Sequence, residues 1–338
     1  MTTRRRMLMG AAALAALPIL PWRVPAAAAQ AMKDEQRRTD PALLNRAPLI
    51  QTERAAEIAP GVTVIPDPRI NLVPNIGIVA GRDAVLVVDT GIGVENGRRV
   101  LETARRIAAG RPLMLTLTHF HPEHGYGAQV FKGQARILYN RPQAEELRAK
   151  GPAYLAMFRG FGPDVAKALE GVEIVEPDET YEGERRIDLG GRTVMLSDMA
   201  AHTRGDQIVH LPDERIVFTG DLAENGFFPI FPDEDAKGQR WIEVLKRIEA
   251  LDPKQVVAGH GAVAGPEVLR AVRAYLEDVQ GEVRRLAASG APVEEVDRRL
   301  TPLLKQRYAG WDNDMWVPFA VRVFHAEATG TPLKLPSF

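Results

Sequence analysis
The 338-residue chain contains no cysteine. A disulfide framework, a lipid-attachment cysteine and a thiolate metal ligand are therefore excluded. Its conspicuous apolar stretch, Met7–Leu20, has 14 residues, short of the ~20 that a stable bilayer-spanning helix needs. A cationic surplus is missing as well. The formal charge is −1, and removing the first 29 residues takes away four arginines and no acid, leaving −5. Nucleic-acid phosphates demand a cationic footprint, so a nucleic-acid partner is not expected. No short-period repeat or low-complexity tract follows residue 29, and a hydrophobic content of 45% is ample for a large globular core.

The apolar stretch belongs to an export signal. Thr3-Arg4-Arg5-Arg6-Met7-Leu8-Met9 resembles the twin-arginine consensus, and Ala27-Ala28-Ala29 and Ala29-Gln30-Ala31 offer cleavage sites with small residues at both flanks. Residues 1–29 are thus expected to engage the twin-arginine export machinery, which carries folded proteins. The expected address is the periplasm, with no stable membrane span after cleavage. Residues 30–59, charged and proline-interrupted, read as an extended arm. The main domain is expected over 60–265, followed by a helical extension over 266–338 packed on the same domain.

Within 60–265, apolar strands alternate with amphipathic helices. Val62–Ile65, Gly77–Ala80, Ala84–Val88 and Leu113–Leu117 read as strands. A helix starting near Glu95 places Val100, Leu101, Ala104, Ile107 and Ala108 on one face. Between Arg141 and Glu170, Gly151-Pro152 and Gly162-Pro163 are expected to divide the chain into two or three short helices.

Five of the seven histidines carry the chemistry. Thr118-His119-Phe120-His121-Pro122-Glu123-His124-Gly125 directly follows a buried strand and holds four potential ligands in six residues. Neutral imidazoles and a carboxylate bind zinc, iron or manganese. Three more candidates follow strand-like runs, each with glycine nearby: His202 in Ala201-His202-Thr203-Arg204-Gly205-Asp206, Asp221 after Thr219-Gly220, and His260 between Gly259 and Gly261. Ligands gathered from several strand ends describe a metal site at one edge of stacked sheets. His210 and His325 read as ordinary histidines.

The series HxHxEH, AHTRGD, TGD and GHG, over residues 60 to 265, resembles the metallo-β-lactamase superfamily. The resemblance implies an α/β fold, a four-layer αββα sandwich with two metals at one edge. His119, His121 and His202 would hold the first ion, Glu123, His124 and His260 the second, and Asp221 would bridge them. Two zinc ions are the expected cofactors, with iron or manganese as alternatives. Most members carry aspartate where this chain has Glu123, and the added methylene must be absorbed by the rotamer or the backbone. The missing cysteine excludes the lactamase subgroups that place one in the second site.

Such a pair of ions makes water nucleophilic near neutral pH. Asp221 would hold the pair together, and Glu123 would also orient the attacking water or take its proton. Asp89 suits either an acceptor for a ligand imidazole N–H or a turn residue bonding its own backbone. Phe227, Phe228 and Tyr126 are candidate substrate contacts, and Arg204 is a candidate contact for an anionic group. The segment Trp311–Trp316 reads as an anchor for the last helix or as a lid. The leading expectation is a periplasmic hydrolase acting on a small ester, thioester or lactone. The alternatives are a β-lactamase and a metal-binding accessory protein of an exported redox system.

Overall fold
Four consecutive residues, Val85–Val88, are all buried, which a strand achieves only when both of its faces are covered. Val85 and Val87 pack against helices on one side, whereas Leu86 and Val88 face a second sheet. The structure, a computed structural model, describes residues 46–336. The twin-arginine segment with Arg4, Arg5 and Arg6, and its cleavage sites, lie outside the described residues.

The first sheet runs in sequence order: β1 (Ala56–Ala59), β2 (Val62–Ile65), β3 (Ile76–Ala80), β4 (Val85–Val88), β5 (Leu113–Thr116), β6 (Ala135–Asn140) and β7 (Glu179–Tyr181). Its pairings are antiparallel up to β4 and parallel from there on. The second sheet comprises β8 (Glu184–Asp188), β9 (Thr193–Asp198), β10 (Gln207–Leu211), β11 (Ile216–Gly220) and β12 (Gln255–Ala258). It is antiparallel except for the parallel pair β11–β12.

Helices α1 (Gly93–Ala108), α2 (Pro122–Gly125), α3 (Arg141–Arg159) and α4 (Pro163–Ala168) accompany the first sheet. Helices α5 (Gly238–Glu249), α6 (Glu267–Ala287), α7 (Val293–Arg307) and α8 (Val317–Thr329) accompany the second. Three apolar layers result. Val100, Ala104 and Leu147 meet the outer face of the first sheet, Val64, Leu196 and Phe218 fill the space between the sheets, and Trp241, Leu245 and Leu276 cover Val217 and Val256. This is the expected αββα sandwich.

Two local expectations change. The described end of the arm is woven into the fold: Ala56–Ala59 forms the edge strand, and buried Ile50 donates its N–H to the Asn96 side chain (2.9 Å). Gly151-Pro152 does not break α3, which runs unbroken from Arg141 to Arg159. Asn140 caps its first turn by accepting the Gln143 N–H (2.7 Å), and the Tyr126 hydroxyl donates to the Gly151 carbonyl beside the proline (2.8 Å). These contacts offset the one helical hydrogen bond that proline forfeits.

Residues 266–338 carry the C-terminal helices α6, α7 and α8. Val268, Leu269, Val272, Leu276, Val279 and Val283 of α6 share one core with α5 and the second sheet. The expected C-terminal helical segment is thus present and packed on the same domain, where it joins α5 in the fourth layer of the sandwich. Leu276→Ala should therefore destabilise the whole molecule by about 2–5 kcal/mol. Urea unfolding monitored by tryptophan fluorescence and by far-UV circular dichroism should show one coincident, shifted transition. A separate early transition would mean the helices fold as an appendage.

Candidate metal centre
The second sheet delivers its ligands through its connections. Parallel β11 and β12 end side by side, placing Asp221 and His260 just beyond the same edge. The loop between antiparallel β9 and β10 carries His202 to that edge. The first sheet contributes from the matching ends of parallel β4 and β5, where Asp89 and the His119–His124 segment emerge. Gly259 is obligatory here, because a Cβ on it would lie 2.0 Å from Asp221 Oδ1.

All seven predicted ligands converge. His119, His121, His202 and Asp221 form one group and Glu123, His124, Asp221 and His260 another, each with ligand atoms within 4.8 Å of one another. Asp221 belongs to both. Its Oδ1 faces His124 Nε2 (3.2 Å) and His260 Nε2 (3.9 Å), and its Oδ2 faces His119 Nε2 (3.7 Å) and His202 Nε2 (3.8 Å). His121 Nδ1 lies 3.0 Å from His119 Nε2 and 3.2 Å from His202 Nε2.

Glu123 sits on α2 with its carboxyl turned toward its own backbone N–H. Despite the extra methylene, a carboxylate oxygen of Glu123 lies within the second group. The donor set fits a pair of divalent cations. Glu123 Oε2, His124 Nε2 and both Asp221 oxygens are buried without a hydrogen-bond partner, a cost that native structures accept chiefly where an ion is bound.

Electrostatics prepare the ligands. Burial, reinforced by neighbouring imidazoles, holds His119 and His121 well below the ordinary histidine value, and burial lowers His202. These three imidazoles therefore keep the neutral form that metals bind. Burial alone would raise Asp221, but His124, His119 and His260 hold it well below the usual carboxylate range. Burial opposes a charge on His124, yet Asp221 and Asp89 on either side push its pKa well up.

Further polar groups fix the ligand orientations. Asp89 Oδ2 lies 2.9 Å from His124 Nδ1, while its Oδ1 accepts the Thr118 N–H (2.7 Å). Asp89 is therefore an acceptor for a ligand imidazole and also splints the His119 loop. The Ile230 carbonyl lies 2.8 Å from His202 Nδ1, and since a carbonyl only accepts, the proton sits there and Nε2 turns inward with its lone pair. Asp206 Oδ2 accepts the N–H groups of Ala201, His202 and Thr203 (3.0, 2.7 and 2.9 Å). Tyr154 stacks on His121, with centroids 5.1 Å apart, and donates its hydroxyl to Asp233 (2.8 Å).

A two-armed cleft opens over these ligands. One arm, about 260 Å³, is bounded by His121, Glu123, Leu72, Tyr154, Met157, Phe158, Phe161, Ile230, Met315 and Trp316. The other is bounded by Glu123, His260, Asp67, Arg69, Glu224, Phe227 and Asp312. Phe227 accordingly borders the site, its ring 6.2 Å from His260. Phe228 does not: it is buried against Tyr275, Tyr308 and Trp311 in the outer helical layer, because adjacent residues on extended chain point to opposite sides. Tyr126 is also core material, its hydroxyl spent on Gly151. Arg204 is exposed and borders neither arm. Trp311 is a buried anchor, while Trp316 walls the cleft.

The sequence reading missed Glu224, Asp67 and Asn75. Glu224 is buried with both oxygens unpartnered, and burial together with the charge of Asp221 pushes its pKa well up. A lone acid in the buried run Asp221-Leu222-Ala223-Glu224 was the available signal. Asp67 accepts the Gly261 N–H (2.7 Å) and lies 3.8 Å from His260 Nδ1. The Asn75 amide donates to the carbonyls of Ala258 (2.9 Å) and Gly261 (2.8 Å). Together they brace the His260 loop from a segment that carries no motif.

The match to the family model of the metallo-β-lactamase superfamily spans residues 69–260, more than half the chain. With the two ligand groups on the sandwich edge, it places the protein in that superfamily. The chain is a hydrolase of this class with His/Asp groups suited to binding metal. Acyl-coenzyme A thioesterase MBLAC2 of Bos taurus is 30% identical over 217 residues, covering 58% of this chain and 75% of that protein. A linear primary-alkylsulfatase of a Pseudomonas strain is 22% identical over 278 residues, covering 68% of this chain and 52% of the sulfatase. Among solved structures, a metallo-β-lactamase family protein from Thermus thermophilus aligns with a TM-score of 0.59 at 19% identity, over 81% of this chain and 95% of that one. The fold is thus shared at low sequence identity.

Asp206→Ala should cost about 3 kcal/mol or more, since three buried N–H groups lose their common acceptor. It should also free the His202 loop, so metal affinity at the His119–His121–His202 group should fall more than at the other. Competitive chelator titration alongside chemical denaturation measures both effects. Unchanged metal affinity would show that Asp206 does not position His202.

Proposed function
We propose that the protein is a two-zinc hydrolase that opens an ester, thioester or lactone carbonyl of a small molecule. Iron or manganese would suit the same donors. The observation that carries this reading is Asp221, one carboxylate shared by two buried ligand groups beneath an open cleft. Thioester cleavage draws support from the thioesterase relative.

Bound divalent ions would supply Lewis acidity toward a carbonyl oxygen and make water acidic enough to attack near neutral pH. The chain's own residues supply the rest. Asp221 spans the two groups and fixes their spacing. Asp89 and the Ile230 carbonyl lock His124 and His202 in orientation, which sustains affinity and basicity at the opposite ring nitrogen. Glu123, at the cleft floor in both arms, is placed to orient a water or accept its proton. The surrounding apolar walls exclude bulk water and strengthen every charge interaction inside.

We further propose that the protein is exported to the periplasm by the twin-arginine route, on the strength of Thr3-Arg4-Arg5-Arg6. Replacing Arg4 and Arg5 by lysine should leave the precursor in the cytoplasm, as judged by fractionation and immunoblotting. Continued periplasmic accumulation would overturn that route.

Elemental analysis after chelator-free purification should give about two metal ions per chain. Turnover of a panel of esters, thioesters, lactones and nitrocefin-like lactams should be abolished by chelation and restored by zinc. Asp221→Ala should lower kcat/KM by several powers of ten, consistent with a loss of several kcal/mol at the transition state. Its unfolding midpoint should stay near wild type, because the residue lies at the rim of the core. Metal-loaded protein with no turnover on any substrate would instead favour a metal-binding accessory role, and near wild-type turnover by the variant would contradict the shared-carboxylate assignment.

A further inference from the structure
The two arms of the cleft differ in chemistry. Among the described residues, four large apolar side chains are more than a third exposed: Met157 at 38%, Phe161 at 49%, Met315 at 53% and Leu303 at 40%. Three of the four border the same arm, beside His121. An apolar patch that folding leaves open at the mouth of a reaction site marks a surface covered by a ligand. Flexible methionines on its rim suit it to chains of more than one shape.

The other arm is acidic. Asp67, Glu123, Glu224 and Asp312 border it, and Arg69 is the cation among its lining residues. Arg69 is already engaged: it forms an ion pair with Asp312, and its guanidinium lies over the Phe227 ring, 4.4 Å from the centroid. Near the apolar arm, Lys150 is held by Asp233 (2.8 Å) and by Asp235. Five buried carboxyl groups, Asp67, Asp89, Glu123, Asp221 and Glu224, stand around the two ligand groups. Bound divalent ions would favour the ionised forms of these groups, whose five negative charges would outweigh the four positive charges of two ions, so little positive potential would remain to attract an anionic head. The arms share Asn71, Leu72, Glu123, Ile230 and Asn313 along their walls, and one molecule can occupy both.

We propose that the cleft takes a substrate with an apolar chain seated on Leu72, Met157, Phe158, Phe161, Met315 and Trp316 and a neutral or cationic head seated by Asp67, Glu224 and Asp312. This rests on the hydrolase reading, yet it departs from direct transfer of the thioesterase relative's substrate, because coenzyme A carries a polyanionic head. Carboxylated lactams are disfavoured for the same reason.

Binding of unhydrolysable amphiphiles tests it independently of turnover. Zinc-loaded full-length protein is titrated calorimetrically, below the critical micelle concentrations, with alkyltrimethylammonium ions and with alkanesulfonates of 6, 8 and 10 carbons. The ammonium series should bind roughly tenfold tighter than the sulfonates, from a few ångströms of separation between charges near the surface. Affinity should rise up to about fourfold per methylene while the chain stays on the apolar arm. Phe161→Ala should flatten that chain-length dependence. Glu224→Gln should reduce the preference for the cation several-fold, and Asp312→Asn, which releases Arg69, should shift it toward the sulfonate even if the Glu224 variant fails to fold. Sulfonates binding as tightly as ammonium ions would overturn the acidic arm, and affinity indifferent to chain length would overturn the apolar one. Absence of turnover on any ester or thioester would instead sink the hydrolase reading and leave these affinities to be judged on their own.

Discussion
Six side chains that carry lone pairs or negative charge are packed out of water around a seventh, the carboxylate of Asp221. Asp221 is where this constraint concentrates, since both of its oxygens are buried and both face imidazoles from two directions. Bound cations would satisfy the lone pairs that the protein leaves without partners. The surrounding architecture follows from that need. Parallel strand ends supply ligands from one edge, a glycine clears space for the shared carboxylate, and outer polar groups such as Asp89 and Asp206 hold the loops that no secondary structure fixes.

The ligands were legible because metal chemistry restricts residue types and because strand ends leave a signature of apolar run, glycine and polar residue. The same logic made the sandwich readable, since β4 and β11 present the continuous apolar runs of doubly covered strands. Other features left weaker traces. Edge strands such as β1 and β8, largely exposed, lack an apolar run. The unbroken α3 depends on a capping asparagine and a tyrosine hydroxyl from another element, which no local propensity expresses. Phe227 and Phe228 are neighbours of equal hydrophobicity, and only the direction of the backbone assigns one to the cleft and the other to the core.

Glu224 and Glu123 show how acidic residues change meaning with surroundings. Glu123 stands where an aspartate is usual, and its carboxyl is turned toward its own backbone. Glu224 follows Asp221 by three positions but joins neither ligand group. It borders the cleft instead. A carboxyl group one layer beyond the ligands can leave their identity untouched and still bear on what enters the cleft, in keeping with one fold serving many substrates.

The fourth layer carries a consequence for the order in which the molecule is completed. Every ligand lies between residues 119 and 260, but the outer face of the sheet that bears Asp221 and His260 is closed by α5 together with α6, α7 and α8, the last three beginning at residue 267. During synthesis all the metal-binding side chains emerge before the last three of the helices that press β11 and β12 into place. Until then α5 alone covers Val217 and Val256, so the strand ends that space the ligands are only partly anchored. A fully anchored centre is thus a late product of the growing chain, and a polypeptide cut short after His260 would hold every donor with only part of the layer that fixes their geometry.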